Sequence, residues 1–181
     1  MSTPFNITLR SFESKVLYFN GMYKLPVGPY PTVFAVVADE RRKNPGLDLT
    51  QQDTDKEYLI ERLVGFKKTL SDELDEMDDI IHKLRIHVPA GEQGYAPIDC
   101  LVDLADLFGD IQVYCASEMV KFGLPVDAVL QIIMNSNFSK LQVDGTAQYD
   151  ANGKVQKGPM YWKPEPQIRE LLESIIQEKQ K

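Results

Sequence analysis

Two acidic runs hold the residues whose types and spacing could do chemistry. In "TLSDELDEMDDIIHKL", Glu73 and Glu76 stand three apart, with Asp72, Asp75, Asp78 and Asp79 around them. In "PIDCLVDLADLFGDIQVYCASEMVKFG", Pro97 to Gly123, the acids Asp103, Asp106 and Asp110 recur at steps of three and four. On a helix such steps stack carboxylates along one stripe. The Pro97 run is otherwise apolar, with Leu101, Val102, Leu104, Leu107, Phe108, Ile111, Val113 and Tyr114 leaving little polar face. Like charges at that spacing repel, and a buried unpaired carboxylate is costly. Water, a basic partner or a metal ion must offset the cost.

A solvated face is the plainer reading of the Glu73 run; the Pro97 run is too apolar for a broad wet face. Taken together, a pair of carboxylates from each of two antiparallel helices makes an oxygen cage. Oxygen-only ligands suit Mg²⁺ or Mn²⁺ rather than zinc. Mg²⁺ gives up water reluctantly and is usually shared between a few carboxylates and substrate phosphates. An acidic chain gains a way to hold a polyphosphate.

Other chemistries are poorly supported. A di-iron bundle wants two Glu-x-x-His elements. The chain has two histidines, of which only His82 has an acid, Asp79, three residues before it. The same scarcity argues against a histidine-based zinc site, so His82 and His87 read as surface or loop residues. There is no phosphate-cradling Gly-x-x-x-x-Gly-Lys-Ser/Thr loop and no Gly-x-Ser-x-Gly elbow. "PAGEQG" has no apolar strand leading into it and reads as a loop.

The elements that must position the acids are helical. "ITLRSFESKVLYFNGMYKL" carries Leu9, Phe12, Val16, Leu17 and Tyr18 near helical spacing; Pro26, Pro29 and Pro31 then break the chain. "VFAVVADERRKNPG" is ambiguous. "DKEYLIERLVGFKKTLSDELDEMDDIIHKL" is the clearest long helix, with Tyr58, Leu59, Leu63, Phe66, Leu70, Leu74, Met77 and Ile81 at steps of three or four, and Asp53 or Thr54 as its cap. The Pro97 run is a helix that Gly123 and Pro125 end. "VDAVLQIIMNSNFSKL" is a shorter helix. "TAQYDANGKVQKG" alternates and carries Asn152-Gly153, a hairpin signal. "PQIRELLESIIQEKQK" is amphipathic through Ile168, Leu171, Leu172, Ile175 and Ile176. The expected fold is an all-α bundle in one domain spanning 1–181, with a hairpin-like arm at 142–166 and a final helix at 166–180.

Composition fits this picture. The chain has 181 residues, 43% hydrophobic and 26% charged, which is enough for a real core. Its formal net charge of -7 argues against a nucleic-acid polymer as partner. Cys100 and Cys115 would lie about 22 Å apart on a continuous helix, too far for a disulfide. They read as reduced thiols of a cytoplasmic protein. No run approaches the ~20 apolar residues of a membrane span, and the N-terminus has no apolar signal core.

The arrangement of these acids resembles a known family. Glu73-Leu-Asp-Glu76, a gap, then Asp106-Leu-Phe-Gly-Asp110 looks like the MazG-like all-α nucleoside triphosphate pyrophosphatases, a superfamily that includes dimeric dUTPases and phosphoribosyl-ATP pyrophosphatase. The signature is Glu-x-x-Glu on one helix and Glu-x-x-Asp on the next. "FGLPVDAVLQIIMNSNFSKL" and "DGTAQYDANGKVQKGPMYWKP" look like a bacterial and phage branch of MazG-like or phosphoribosyl-ATP pyrophosphohydrolase-like proteins. The resemblance runs from Phe12 to Pro166. It departs at Leu107, which stands where the signature has Glu; Asp106 is the nearest substitute, and Asp103 with Asp106 gives the three-residue spacing in another register.

The resemblance implies Mg²⁺, or Mn²⁺, on Glu73, Glu76, Asp106 and Asp110. Water would attack the α-phosphorus of a nucleoside triphosphate to give monophosphate and pyrophosphate, with Glu73 or Glu76 as general base. It places Asn137, Lys140 and Lys157 near the nucleotide; Lys154 belongs to the same arm, and Tyr161 and Trp162 read as pinning the arm to the bundle. It further implies a homodimer or homotetramer. A non-catalytic nucleotide-binding or oligomerising descendant is the alternative.

Overall fold

The computed structural model describes residues 11–32, 52–86, 94–179 and 181. The expectations for 33–46, for His87 and for the first part of "PAGEQG" lie outside them. Among the described residues the fold is all-α: α1 Phe12–Met22, α2 Gln52–Arg85, α3 Pro97–Lys121, α4 Val126–Phe138 and α5 Glu165–Lys179. No strand forms among them; Tyr149 and Val155 make an isolated antiparallel bridge. The chain divides into two compact units, Met1–Ala35 with Met119–Lys181, and Val36–Glu118.

The first unit packs α1 and α5 on α4. Ser11 caps α1, its side chain accepting from Ser14 N–H, which satisfies one of the four donors that a helix start leaves unpaired. Glu13 in the first turn of α1 reaches across to accept from Asp127 N–H at 3.0 Å, so it serves as the side-chain cap of α4, whose own N-cap Pro125 has none. Val16, Val120, Val126 and Val129 form the buried apolar centre. Asn20 is fully buried beside them and donates to Pro26 C=O.

The proline-broken segment after α1 straps the end of α3. Gly28 N–H donates to Val120 C=O, which also accepts from Gly123 N–H, and Thr32 N–H donates to Phe122 C=O just past the helix end. Gly123 sits at φ 66 and ends α3, as its spacing from Pro125 predicts. The strap approaches so closely that a Cβ on Gly28 would meet the Gly123 backbone, and one on Gly123 would meet the Tyr30 carbonyl.

The arm is a turn rather than a two-residue hairpin. Among the central residues only Gly153 has positive φ, so Asn152-Gly153 is not a type I′ pair. The Asp150 carboxylate accepts from Asn152 N–H and Lys154 N–H, both at 2.9 Å, and Asp150 N–H donates to Lys154 C=O. An aspartate that organises its own downstream amides favours this wider loop. The arm's far end is held to the end of α4 and the segment just after it through backbone groups of Gly158 and Trp162. Ser136 Oγ donates to Trp162 C=O at 2.9 Å, Trp162 N–H donates to Ser139 Oγ, and Gly158 N–H donates to Lys140 C=O.

The second unit is built on α2 and the first 22 residues of α3, ending at Glu118. Helix α2 begins at Gln52, so Asp53 and Thr54 lie inside it rather than capping it. The two helices run antiparallel, as the cross-helix pairs show. Near one end Arg62 grips the buried Glu118 with two guanidinium N–H groups, Nε to Oε1 at 2.8 Å and Nη2 to Oε2. Near the other, Lys83 Nζ reaches Asp103 Oδ2 at 2.7 Å. Ile80, Leu107 and Ala116 are buried between these clamps.

Helix α3 is less enclosed than its composition implies. Leu101 is 61% exposed, Val102 59% and Phe108 50%, so the helix is buried along one seam rather than all round. Ile60, Leu63 and Val64 on α2 are exposed as well. Two antiparallel helices have only one mutual seam, and apolar residues off it stay at the surface. Cys100 and Cys115 are free thiols.

Candidate active site of the antiparallel pair

Glu73 lies in the middle of α2, and its position in the stripe turns it inward. It is 5% exposed, while its neighbours Asp72, Asp75, Glu76, Asp78 and Asp79 are at the surface. Its Oε2 is buried with no hydrogen-bond partner. Burial pushes its carboxyl above the usual carboxylate range, and the charges of Glu76, Asp110, Asp72 and Asp106 push it the same way. All four acids of the predicted quartet therefore share one field: Glu73 at its buried centre, Glu76 one turn away, and Asp106 and Asp110 facing from α3. Half-buried Tyr114, one turn beyond Asp110, reports the same field. Burial raises its pKa first, then the charges of Asp110, Glu73 and Glu76.

The quartet is not a ready-made cage. Among the described residues no three His, Cys, Asp or Glu side chains converge as a metal-holding group. Asp106 and Asp110 are exposed, whereas Leu107, between them, is 2% exposed and fills the seam. The position that points inward on α3 is thus the apolar one. Asp103 belongs to a different environment. It accepts from Lys83 Nζ at 2.7 Å and from Tyr95 OH at 2.6 Å, and these two bonds hold its carboxyl below its ordinary range. Of the acids on α3, Asp103 is satisfied by protein partners, and Asp106 and Asp110 are the pair that loads Glu73.

The donor chemistry fits a hard divalent cation on one observation. A buried carboxylate oxygen that nothing in the protein satisfies, its pKa raised further by the charges of nearby acids, is the feature such an ion relieves. The sequence did not reveal Lys83, Tyr95, Arg62 or Glu118. Lys83 had a readable signal, because it continues the Glu76 and Ile80 face of α2 at helical spacing.

The other predicted residues lie in the first unit and are engaged locally. Lys140 Nζ donates to Asn137 Oδ1 at 2.7 Å, and Lys157 Nζ sits 4.5 Å from the centre of the Tyr161 ring. Asn137 is exposed at the end of α4, and Lys154 is exposed on the arm.

No protein-family profile matches the chain, and no curated protein does. Among solved structures, a crystal structure from Exiguobacterium sp. 255-15 named as a "putative NTP pyrophosphohydrolase" is similar over 94% of this chain and 99% of its own, at 20% identity and a TM-score of 0.45. No helix among the described residues is long and apolar enough to cross a membrane.

Proposed function

We propose that the chain is a divalent-metal-dependent pyrophosphohydrolase of nucleoside triphosphates. The observation that carries the reading is the buried, unpartnered Glu73 Oε2 in the electrostatic field of Glu76, Asp110 and Asp106. The resemblance of those acids, and of the stretches that follow them, to the MazG-like pyrophosphatases supplies the reaction class. Glu73, Glu76, Asp106 and Asp110 would hold Mg²⁺ or Mn²⁺. Bound there, the ion supplies charge neutralisation for the phosphates and a lowered pKa for water. Glu73 or Glu76 accepts the proton of the attacking water. Ile80 and Leu107 close the inner wall against solvent.

Leu107 favours a second reading. An apolar, buried residue where the signature has an acid leaves the inner coordination one carboxylate short, as expected of a nucleotide-binding descendant without turnover. The exposed apolar side chains of α2 and α3 support self-association, as a dimer or tetramer, in either case.

Incubation with Mg²⁺ and a panel of ribo- and deoxyribonucleoside triphosphates, with the products resolved by chromatography, decides between them. Monophosphate and pyrophosphate, lost in Asp110→Asn, establish the hydrolase. Diphosphate and phosphate place the attack at another phosphorus and overturn the mechanism. Tight Mg²⁺-dependent binding without turnover establishes the second reading. Lys140→Ala with unchanged kinetics removes Lys140 as a substrate contact.

A further inference from the structure

Glu76 and Asp106 of the acidic quartet also line a cleft of about 180 Å³, together with Asp79, Ile80, Lys83 and Asp103. It is smaller than the ~300–1,000 Å³ that a whole drug-sized ligand takes, so it suits a phosphate portion of a nucleotide. Four of its six lining residues are acids and one is a cation, Lys83. A phosphate chain entering this cleft meets repulsion everywhere except at a bound metal and at Lys83.

We propose that Lys83 is a substrate contact that holds the pyrophosphate end of the nucleotide, and that Asp103 parks it between substrates. The inference rests on the hydrolase reading above and adds a residue that the acidic signature does not contain. Three observations carry it. Lys83 follows Glu76 and Ile80 on one face of α2, and long helical side chains lean back toward the preceding turn, here Ile80, with Glu76 one turn further on. Its side chain is 48% exposed, so leaving Asp103 would uncover no core. Asp103 accepts from both Lys83 and Tyr95 on one oxygen, Oδ2. When Lys83 leaves, Tyr95 OH still satisfies the carboxylate, so release strands no buried charge.

Tyr95 also presents its ring to the ammonium, 5.4 Å from the centroid. The hydrogen bond to Asp103 raises the Lys83 pKa, so the side chain is a cation at any physiological pH. Glu73, whose buried Oε2 has no partner, lies one helical turn before Glu76 of the cleft and feels the charges of Glu76 and Asp106.

The test is calorimetric titration of the full chain with pyrophosphate in the presence of Mg²⁺, alongside the thermal shift produced by Mg²⁺ alone. Lys83→Met should weaken pyrophosphate binding ~10-fold or more, the weight of one charge-assisted contact. It should leave the Mg²⁺ shift and the binding of a nucleoside monophosphate unchanged. Lys83→Arg should retain most of the affinity. Asp103→Asn, which frees the ammonium and removes a negative charge, should bind pyrophosphate at least as tightly as wild type. Equal pyrophosphate affinity in wild type and Lys83→Met overturns the contact with the hydrolase reading intact. Weaker binding in Asp103→Asn overturns the parking role. A Lys83→Met variant that loses the Mg²⁺ shift as well assigns Lys83 a structural role instead. Wild-type protein that neither binds Mg²⁺ nor pyrophosphate, nor turns over, overturns both readings together.

Discussion

Glu73→Gln separates a site built for a cation from an acidic surface that happens to be there. In metal-free protein Glu73 is 5% exposed, Oε2 is unpartnered, and four nearby acids disfavour its charge. A buried polar group left unsatisfied costs about 1–3 kcal/mol. Glutamine removes the charge and keeps a buried amide, so the gain belongs at the low end, about 1 kcal/mol. For a chain of this size that is roughly 2–4 °C in Tm.

The sign reverses with metal. An ion at ~100 times its Kd stabilises the native state by about 2.7 kcal/mol, or roughly 5–11 °C in wild type, and the variant should lose that gain. The assay is thermal melting by circular dichroism in EDTA and in Mg²⁺. The folded protein binds the Glu73 proton more tightly than the unfolded chain does, whose reference value is 4.5. The cost is therefore absent below pH 4.5 and grows as pH rises through the raised folded value. The variant's advantage in EDTA should fade toward pH 4.5. A variant that melts below wild type in EDTA, or an equal Mg²⁺ shift in both proteins, would refute the reasoning.

Three further perturbations follow from the packing. Arg62→Met removes two charge-assisted hydrogen bonds from the buried Glu118 carboxylate and should cost about 1–3 kcal/mol in urea unfolding, with Arg62→Lys costing less. Leu107→Ala should cost about 2–5 kcal/mol by opening the seam, and Leu107→Glu should melt lower still in EDTA but regain stability on adding Mg²⁺. Gly123→Ala combines a left-handed backbone with collision against the Tyr30 carbonyl, and should destabilise by more than the ~1 kcal/mol of an ordinary strained glycine site, read by denaturant midpoint.

The helices were legible because their apolar positions keep one period over long stretches, α2 above all. That the charges of Glu76, Asp106 and Asp110 bear on Glu73 was legible, because the spacing marks one face on each of two helices. What the sequence could not give is which member of a stripe turns inward. Glu73 and Glu76 look alike as letters, yet one is buried and the other exposed, and that difference follows from how α2 turns against α3. Asp103 and Asp106 likewise fit the same spacing; only the cross-helix reach of Lys83 and the bond from Tyr95 separate the satisfied acid from the loading one. The arm misled in detail because Asp150, two residues before the Asn152-Gly153 pair, captures the amides that would define a tighter turn.

The contact between Gly28 and Gly123 has a consequence for how this sequence can drift. Most tight contacts tolerate mutation in pairs, since a larger residue on one side is rescued by a smaller one on the other, and such coupling is the usual source of non-additivity between neighbours. Here both partners are already glycine, and what each would strike is backbone. No smaller residue exists to compensate, so the pair has no route of joint replacement. In a saturation library each position should be intolerant in every background, while the side chain of Tyr30, which contributes only its carbonyl to this contact, should vary freely.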